Sequence, residues 1–428
     1  MARAQNSGAR VVGLAIGRAA SRSWRAIAKG GSTPARLRAW MVATVVVAVL
    51  FGVLGAIGVG RRDSSLHEAD AASQQLLAVQ DVHVRLVHAD SIARENYLRG
   101  GIEDGAKRAT YEAELATVSD GLVAVGNKVL PNEAAKLAQV SAQLSRYSGL
   151  VEQARANNRQ GYPVGAAYLR TANELSQAMV VGLRDVQSSL RHQVNDDLDR
   201  ADKAGAWLHL TGWPLLLLVV VGGGWVAYRF RRLVNVPLAV AGVLMLLMMF
   251  VGGSLQASSM SHAETATGSA LQAADLVAQA RSSAFEAHAQ ESSTLIARGS
   301  GGDDSAWQAS SAGVGEALGH LCSIGGDCSL VNTYGAYSDA HSTVRSADDV
   351  GDWDGARSDS LDGVAAITFT EFDTASGSMA ASLGAHASAE MSAAPGGLSG
   401  LRIVVFLAGL LCAALVLVGY GQRLREYR

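Results

Sequence analysis

The stretch AWMVATVVVAVLFGVLGAIGVG, residues 39–60, contains no charged side chain. Its length matches the roughly 20 residues that a helix needs to cross a bilayer. Three more apolar runs of similar length follow, at residues 210–227, 238–255 and 401–420. The sequence therefore predicts an all-α membrane protein with four transmembrane helices.

The distribution of lysine and arginine predicts the orientation of these helices, because cationic segments stay on the cytosolic side during insertion. The arm at residues 1–38 is basic and has no acidic residue, and residues 421–428 form a basic tail. The turn at residues 228–237 is also basic. Only Arg61, Arg62 and Arg402 favour the opposite orientation. We therefore expect both termini in the cytosol and two large extracytoplasmic loops, at residues 61–209 and 256–400, in a multi-pass plasma-membrane protein.

Each large loop shows the apolar spacing of a helical bundle. Apolar residues in the first loop step by four and three, a spacing typical of left-handed helix packing. They are Tyr111, Leu115, Val118, Leu122, Val125 and Val129, followed by Leu137, Val140, Leu144, Tyr147, Val151 and Ala154. Helix breakers occur at Gly100-Gly101, around Pro131, and at Gly161-Tyr162-Pro163. The pattern predicts a four-helix bundle in which the first and last helices continue the flanking transmembrane helices.

The second loop repeats this plan, which indicates an internal duplication. The segment Arg146–Ser148 corresponds to Ala336–Ser338, and Leu98–Gly101 corresponds to Ala297–Ser300. The apolar spacing recurs at Trp307, Val314, Leu318 and Leu321, and again at Val331, Tyr334, Tyr337, His341 and Val344. We therefore predict two tandem four-helix bundles.

Cys322 and Cys328 lie close together in the second loop. An extracytoplasmic location is oxidising, which favours a disulfide between them. A metal site would require more ligands than this segment offers, so we predict no metal.

Polar residues interrupt the apolar stripe of the first helix in each loop. They are Gln80, Ser91 and Arg94 in the first, and Arg281, His288 and Ser292 in the second. Buried polar groups must be paired, unless the face that carries them meets a ligand or partner. The planar fork of arginine suits carboxylate recognition, so Arg94, Arg99, Arg281 and Arg298 are the predicted ligand or partner contacts. A register shift of one residue would instead place these side chains in solvent.

Catalytic motifs for hydrolases, metalloproteases, nucleotide binding and dinucleotide binding are absent from the sequence. We therefore predict no catalytic residues, no enzymatic activity and no cofactor. The nearly balanced net charge of −2 does not suggest nucleic-acid binding. The four runs contain no Asp, Glu or Lys, whereas transport pathways usually place ionisable groups at membrane depth.

Long helices that join outer bundles to short basic cytosolic segments are typical of transmembrane sensors. No output domain follows the second or the fourth run, so we expect a separate cytosolic partner. It would dock on Arg229, Arg231, Arg232, Arg423 and Arg425. The basic arm is expected to lie on anionic membrane lipid.

The basic arm, the duplicated bundles, the Arg-Phe-Arg-Arg turn and the short tail resemble actinobacterial four-span membrane proteins of the GlnX type. This resemblance covers nearly the whole chain. It implies a relay between an extracytoplasmic amino-acid-binding lipoprotein and a cytosolic protein kinase of the G type. Two alternatives remain open: a structural or scaffolding protein of the cell envelope, and an accessory subunit of a transport complex. Formation of a homodimer also remains open.

Overall fold

The computed structural model describes residues 33–101, 104–129, 131–230, 235–297 and 304–425, and the regular structure within these ranges is entirely helical. The helices are α1 (Thr33–Arg99), α2 (Gly105–Gly126), α3 (Pro131–Arg159), α4 (Val164–Phe230), α5 (Val236–Thr265), α6 (Leu271–Ala297), α7 (Ser305–Ser323), α8 (Ser329–Asp349), α9 (Trp353–Asp362), α10 (Val364–Ala393) and α11 (Leu398–Arg425). A π-helical turn, Ala266–Ala270, joins α5 to α6. The predicted all-α fold class is confirmed.

Four stretches of helix are long and apolar enough to cross a membrane: Pro34–Arg99, Val164–Tyr228, Val236–Ala297 and Trp353–Arg425. They contain the four predicted runs. Large apolar side chains within these runs are exposed, including Leu217, Phe250 and Ile403. Lipid tails solvate such side chains as well as a protein core does, and the chain is therefore a membrane protein.

The predicted helix breakers coincide with the ends of helices. Helix α1 ends at Arg99, and Gly100 follows with a φ of 65°, in the left-handed region where glycine carries no steric cost. Helix α3 begins at Pro131, where the missing backbone N–H of proline costs no helical hydrogen bond. Gly161 also has a positive φ and separates α3 from α4.

The chain divides into two compact units. The first, here called the span unit, consists of the described parts of residues 1–67, Asp197–Ser261 and Ala393–Arg428. In it, α1 and α11 approach closely at Gly52 and Gly409, and a Cβ added at Gly409 would lie 2.4 Å from Cα of Gly52. Small residues allow this kind of close backbone approach between membrane helices.

The second unit, here called the loop unit, consists of the described parts of Glu68–Asp196 and His262–Ser392. Both predicted bundle segments contribute to one apolar core, whose largest buried side chains include Tyr147, Tyr337, Phe285 and Phe372. Most of the apolar residues that step by four and three in the sequence are buried. Val331 is an exception, because its side chain is 45% exposed, and its predicted core position is wrong.

Candidate functional site

A buried ion pair lies on α1 in the loop unit. Nη2 of Arg94 donates to Oδ2 of Asp90 at 2.5 Å, and the two side chains are 3% and 6% exposed. Tyr147 donates its hydroxyl to the other oxygen of Asp90 at 3.0 Å. Arg94 also donates to Asn173, and at 2.9 Å to Ser293. Because burying charge is costly, an ion pair of this kind needs these additional hydrogen bonds.

A second buried cluster surrounds Glu291 on α6, which is 1% exposed. Its carboxylate accepts hydrogen bonds from His341 Nδ1 and Ser360 Oγ, each at 2.6 Å, and from the hydroxyl of Tyr337 at 3.4 Å. The indole of Trp307 stacks on the His341 ring, with the ring centroids 3.7 Å apart. Burial alone would raise the pKa of Glu291, but the hydrogen bonds from His341 and Ser360 and the charges of His288 and His341 together outweigh it and lower this pKa.

Tyr147 and Tyr337 occupy corresponding positions in the two segments. Each donates its hydroxyl to a buried carboxylate on the first helix of its own segment, Asp90 or Glu291. Burial raises the pKa of both tyrosines well above the ordinary value, so both hydroxyls keep their protons and act as donors. The internal duplication itself stays a prediction.

Polar contacts join α1 to α6 along the loop unit. Oγ of Ser91 lies 2.9 Å from Nδ1 of His288, and Nε2 of Gln80 donates to Asp275 at 2.6 Å. Ser91, His288 and Gln80 belong to the polar set that interrupts the apolar stripe in the sequence. Asp275 is not in that set but pairs with Gln80. Most of that set is therefore paired inside the protein.

Helix α9 holds the ends of α1 and α6. Arg357 donates to the backbone carbonyl oxygens of Leu98, at 3.0 Å, and Arg99. Trp353 Nε1 donates to the carbonyl oxygen of Leu295 at 2.8 Å. The last turn of a helix leaves carbonyl groups without helical partners, and these side chains satisfy three of them.

A cavity of about 410 Å³ opens in the loop unit between four helices. Its walls include Gln80 and His83 on α1, Arg184 on α4, Asp275 on α6 and Glu316 on α7. Ligand pockets in proteins commonly have volumes of roughly 300–1,000 Å³, so this cavity is large enough for a small organic molecule.

The charges around this cavity fall into two groups. Asp275 has partners within the protein, because it accepts from Arg191 and, at 2.6 and 2.8 Å, from Gln80 and Gln279. Burial raises the pKa of Asp275, and the charge of Arg191 opposes the rise. Arg184 and Glu316, in contrast, are exposed and form no ion pair with any described residue.

His83 forms part of the cavity wall and is 6% exposed. Nε2 of Gln187 lies 3.5 Å from its Nδ1, and because an amide nitrogen only donates, Nδ1 accepts. Burial, assisted by the charge of Arg184, lowers the pKa of His83 to about 4. The neutral ring then carries its proton on Nε2, which is buried and has no hydrogen-bond partner among the described residues.

A second cavity, of about 350 Å³, lies beside His88, Glu95, Lys107 and Phe369. Its charged side chains have partners: Glu95 pairs with Lys107 at 3.0 Å, and Asp373 pairs with Arg281 at 2.7 Å. Asp104 accepts from the backbone N–H of Ala106. The two cavities thus differ in whether their charges are already paired.

The predicted binding arginines of the loops contact their own chain where they are described. Arg94 is buried in the network around Asp90, and Arg281 pairs with Asp373. Arg99 donates to both carboxylate oxygens of Asp362 at 3.0 Å. Arg298 lies outside the described residues. Recognition of a ligand or partner by these arginines stays a prediction.

The predicted cytosolic docking residues are only partly described. Arg423 and Arg425 lie in the last turn of α11. Arg425 is exposed. Arg231 and Arg232 lie outside the described residues, as do the side chain of Arg229 and the basic arm before Thr33.

The predicted disulfide is confirmed, because Cys322, in the last turn of α7, is bonded to Cys328, which directly precedes α8. Within the described ranges, no group of three or more His, Cys, Asp or Glu residues is arranged to hold a metal ion. His83 and His88 line different cavities, as their spacing of five along α1 suggests.

Residues 65–199 match the model of a family described as an actinobacterial sensor domain. This range covers the polar part of α1, all of α2 and α3, and most of the polar part of α4. No curated protein and no solved structure matches the chain. The match to the family model indicates a sensing function. The chain is a helical membrane protein whose first large loop is similar to actinobacterial sensor domains.

Proposed function

We propose that this protein is a non-enzymatic transmembrane signal relay. It senses the availability of amino acids outside the cell, directly or through a solute-binding protein, and passes this information to a cytosolic serine/threonine kinase. Both termini and the turn at residues 228–237 lie in the cytosol in this proposal, and the loop unit lies outside. The positive charge of the short segments supports this orientation.

The observation that carries the proposal is the continuity of three helical stretches. A segment long and apolar enough to cross a membrane is present in each of three stretches: helix α1, helix α4, and α5 through α6. Each also contributes a side chain to the 410 Å³ cavity: Gln80, Arg184 and Asp275, respectively. A ligand or partner that moves these side chains therefore acts on the helices that cross the membrane, and small helix shifts are an established means of signalling.

The identity of the partners rests on the resemblance to membrane proteins of the GlnX type. That resemblance implies an amino-acid-binding lipoprotein outside and a protein kinase of the G type inside. The match of residues 65–199 to a sensor-domain family supports the sensing half of the proposal. The basic groups Arg229, Arg231 and Arg232 suit an acidic surface on a cytosolic partner.

The test is crosslinking in intact cells followed by affinity capture of the tagged full-length protein. Capture is carried out with and without added glutamine, glutamate or aspartate, and the partners on both sides are identified by mass spectrometry. The proposal predicts a solute-binding protein and a kinase among the partners, in amounts that change with the added amino acid.

Two other outcomes would contradict the relay. Recovery of envelope components alone, unchanged by amino acids, would support a scaffolding protein. Recovery of a permease would support an accessory transport subunit.

A further inference from the structure

The wall of the 410 Å³ cavity includes a cation and an anion that form no ion pair with any described residue. Arg184 lies on α4 and Glu316 on α7, and both line this cavity. The two side chains do not pair with each other or with any other described residue. Arg191 and Asp275 line the same cavity and do form an ion pair. The cavity therefore has an internal ion pair, but Arg184 and Glu316 remain without one.

We propose that this cavity binds a small zwitterion, whose carboxylate pairs with Arg184 and whose ammonium group pairs with Glu316. A guanidinium donates two parallel hydrogen bonds to a carboxylate, and a carboxylate accepts charge-assisted hydrogen bonds from an ammonium group. A molecule with both groups satisfies both open charges, whereas a simple anion or cation satisfies only one. This inference rests on the sensing role proposed above and assigns the site and the chemical class of the ligand.

The volume of the cavity supports a small organic ligand. Water occupies roughly 30 Å³ per molecule in the liquid, so about 410 Å³ is far more space than one bridging water fills. Free α-amino acids are the simplest zwitterions that fit a cavity of this size. Molecules such as 4-aminobutyrate carry the same two groups farther apart.

The wall of the cavity also contains a polar group without a hydrogen-bond partner among the described residues. Nε2 of His83 is buried without a partner, and buried polar groups without partners are uncommon in folded proteins. Such a wall can gain hydrogen bonds when the cavity is filled, which an already satisfied wall cannot.

The position of the site fits a signalling role. A third cavity, of about 240 Å³, shares Arg191 and Asp275 with the first and is also lined by Thr267. Thr267 lies in the π-helical turn between α5 and α6. Single π-helical turns occur frequently at functional sites. Thr267 precedes Asp275 by about two helical turns on the same continuous stretch of helix.

The test measures binding of defined molecules to the purified full-length protein in detergent by isothermal titration calorimetry. The molecules are L-glutamine, L-glutamate, 4-aminobutyrate, succinate and putrescine. We expect at least one of the three zwitterions to bind, and succinate and putrescine to bind more weakly or not at all. The comparison of the α-amino acids with 4-aminobutyrate determines which spacing of the two groups the cavity accepts.

The variants are Arg184→Gln and Glu316→Gln. Each removes one charge-assisted interaction, so we expect each to weaken binding of the zwitterion roughly tenfold or more. Because both side chains are exposed, neither variant should prevent folding, which circular dichroism checks.

Matched controls are Arg146→Gln and Glu174→Gln. Arg146 and Glu174 are exposed residues of the loop unit that do not line this cavity, and we expect these variants to bind like the unmodified protein. Absence of zwitterion binding to the unmodified protein would overturn the proposal. An affinity of Arg184→Gln or Glu316→Gln equal to that of the unmodified protein would also overturn it.

The outcome for this site is separable from the outcome for the relay. If no zwitterion binds the purified protein but the capture of a kinase from cells still changes with amino acids, the zwitterion site is wrong and the relay stands. If a zwitterion binds through Arg184 and Glu316 but no cytosolic partner is captured, the relay is wrong and the site stands.

Discussion

Asp90 and Arg94 lie one helical turn apart on α1 and form an ion pair that is almost completely buried, with Arg94 Nη2 and Asp90 Oδ2 separated by 2.5 Å. Tyr147 donates to the same aspartate from α3. The hydrogen bond from Tyr147 therefore joins α3 to α1. The charges of the ion pair are compensated only while both Asp90 and Arg94 are present.

Removing the aspartate should destabilise the loop unit strongly. In Asp90→Asn the guanidinium of Arg94 stays buried without its counter-charge, and breaking a buried ion pair in this way costs about 3–5 kcal/mol. We expect a lower midpoint of thermal unfolding of the full-length protein and faster amide hydrogen exchange around residue 90. Glu174→Gln, which changes an exposed carboxylate, is the control. Unchanged exchange in Asp90→Asn would contradict this account of the ion pair.

The loop unit should become less stable as the pH falls, because the pKa of His83 is lowered in the folded protein. Its pKa is lowered to about 4 in the folded protein, whereas an unfolded histidine titrates near 6.5. Below pH 6.5 the unfolded chain therefore binds the proton first. The stability that neutral His83 contributes is fully present above that pH and is lost as the pH falls towards 4.

From pH 7 to pH 5 this linkage lowers the free energy of unfolding by about 2 kcal/mol. Thermal unfolding of the unmodified protein at the two pH values measures the effect. His83→Gln should reduce the difference between pH 7 and pH 5, whereas His386→Gln, at an exposed histidine, should leave it unchanged. An equal pH dependence in all three proteins would show that His83 is not the titrating group.

The disulfide should stabilise the turn between α7 and α8. Closing the short loop from Cys322 to Cys328 contributes about 2 kcal/mol in the chain-entropy model. We expect a reductant to lower the unfolding midpoint of the unmodified protein and to have no effect on the variant with both Cys322→Ser and Cys328→Ser. Alkylation of both cysteines without prior reduction would contradict the assignment of the bond.

Close packing in the span unit depends on Gly409. Its Cβ would overlap with the backbone of Gly52 on α1, so Gly409→Val forces α1 and α11 apart at a cost of about 1–3 kcal/mol or more. Protease sensitivity of the protein in membranes should increase. Gly223→Val is the matched control, because a Cβ at Gly223 contacts nothing within 4 Å. Equal protease sensitivity of the two variants would exclude this packing.

The cytosolic turn should couple the protein to its kinase. Changing Arg229, Arg231 and Arg232 together to glutamine should abolish capture of the kinase without abolishing expression. The paired change Arg423→Gln and Arg425→Gln tests the tail in the same way. Because these arginines also set orientation, cysteine accessibility must show that the topology is preserved. Continued capture of the kinase by the triple variant would exclude the turn as the docking site.

The sequence predicts the helices and much of the core correctly because these depend on local spacing. Tyr111, Val118, Leu122 and Val125 recur at intervals of seven, four and three along one helix, and all four are buried. Val331 follows the same spacing but lies in the first turn of α8, where its side chain is 45% exposed. Spacing alone does not show how far along a helix the packing surface extends.

The cavity could not be predicted in this way. Its walls combine residues from α1, α4, α6 and α7, which are far apart in the sequence, and their meeting depends on tertiary packing. Arg184 and Glu316 look like ordinary solvent-exposed helix residues in the sequence. The predicted arginines Arg94 and Arg281 instead interrupt an apolar stripe, and the structure shows that this pattern reflects internal ion pairs.

The central claim is that amino acids outside the cell control a kinase inside it through this protein. The most direct measurement is the phosphorylation of the substrates of that kinase in cells with and without added amino acid, after deletion of the gene and after complementation. We predict that deletion abolishes the dependence on the amino acid, that the unmodified protein and Arg146→Gln restore it, and that Arg184→Gln does not. Dependence that persists after deletion would contradict the relay.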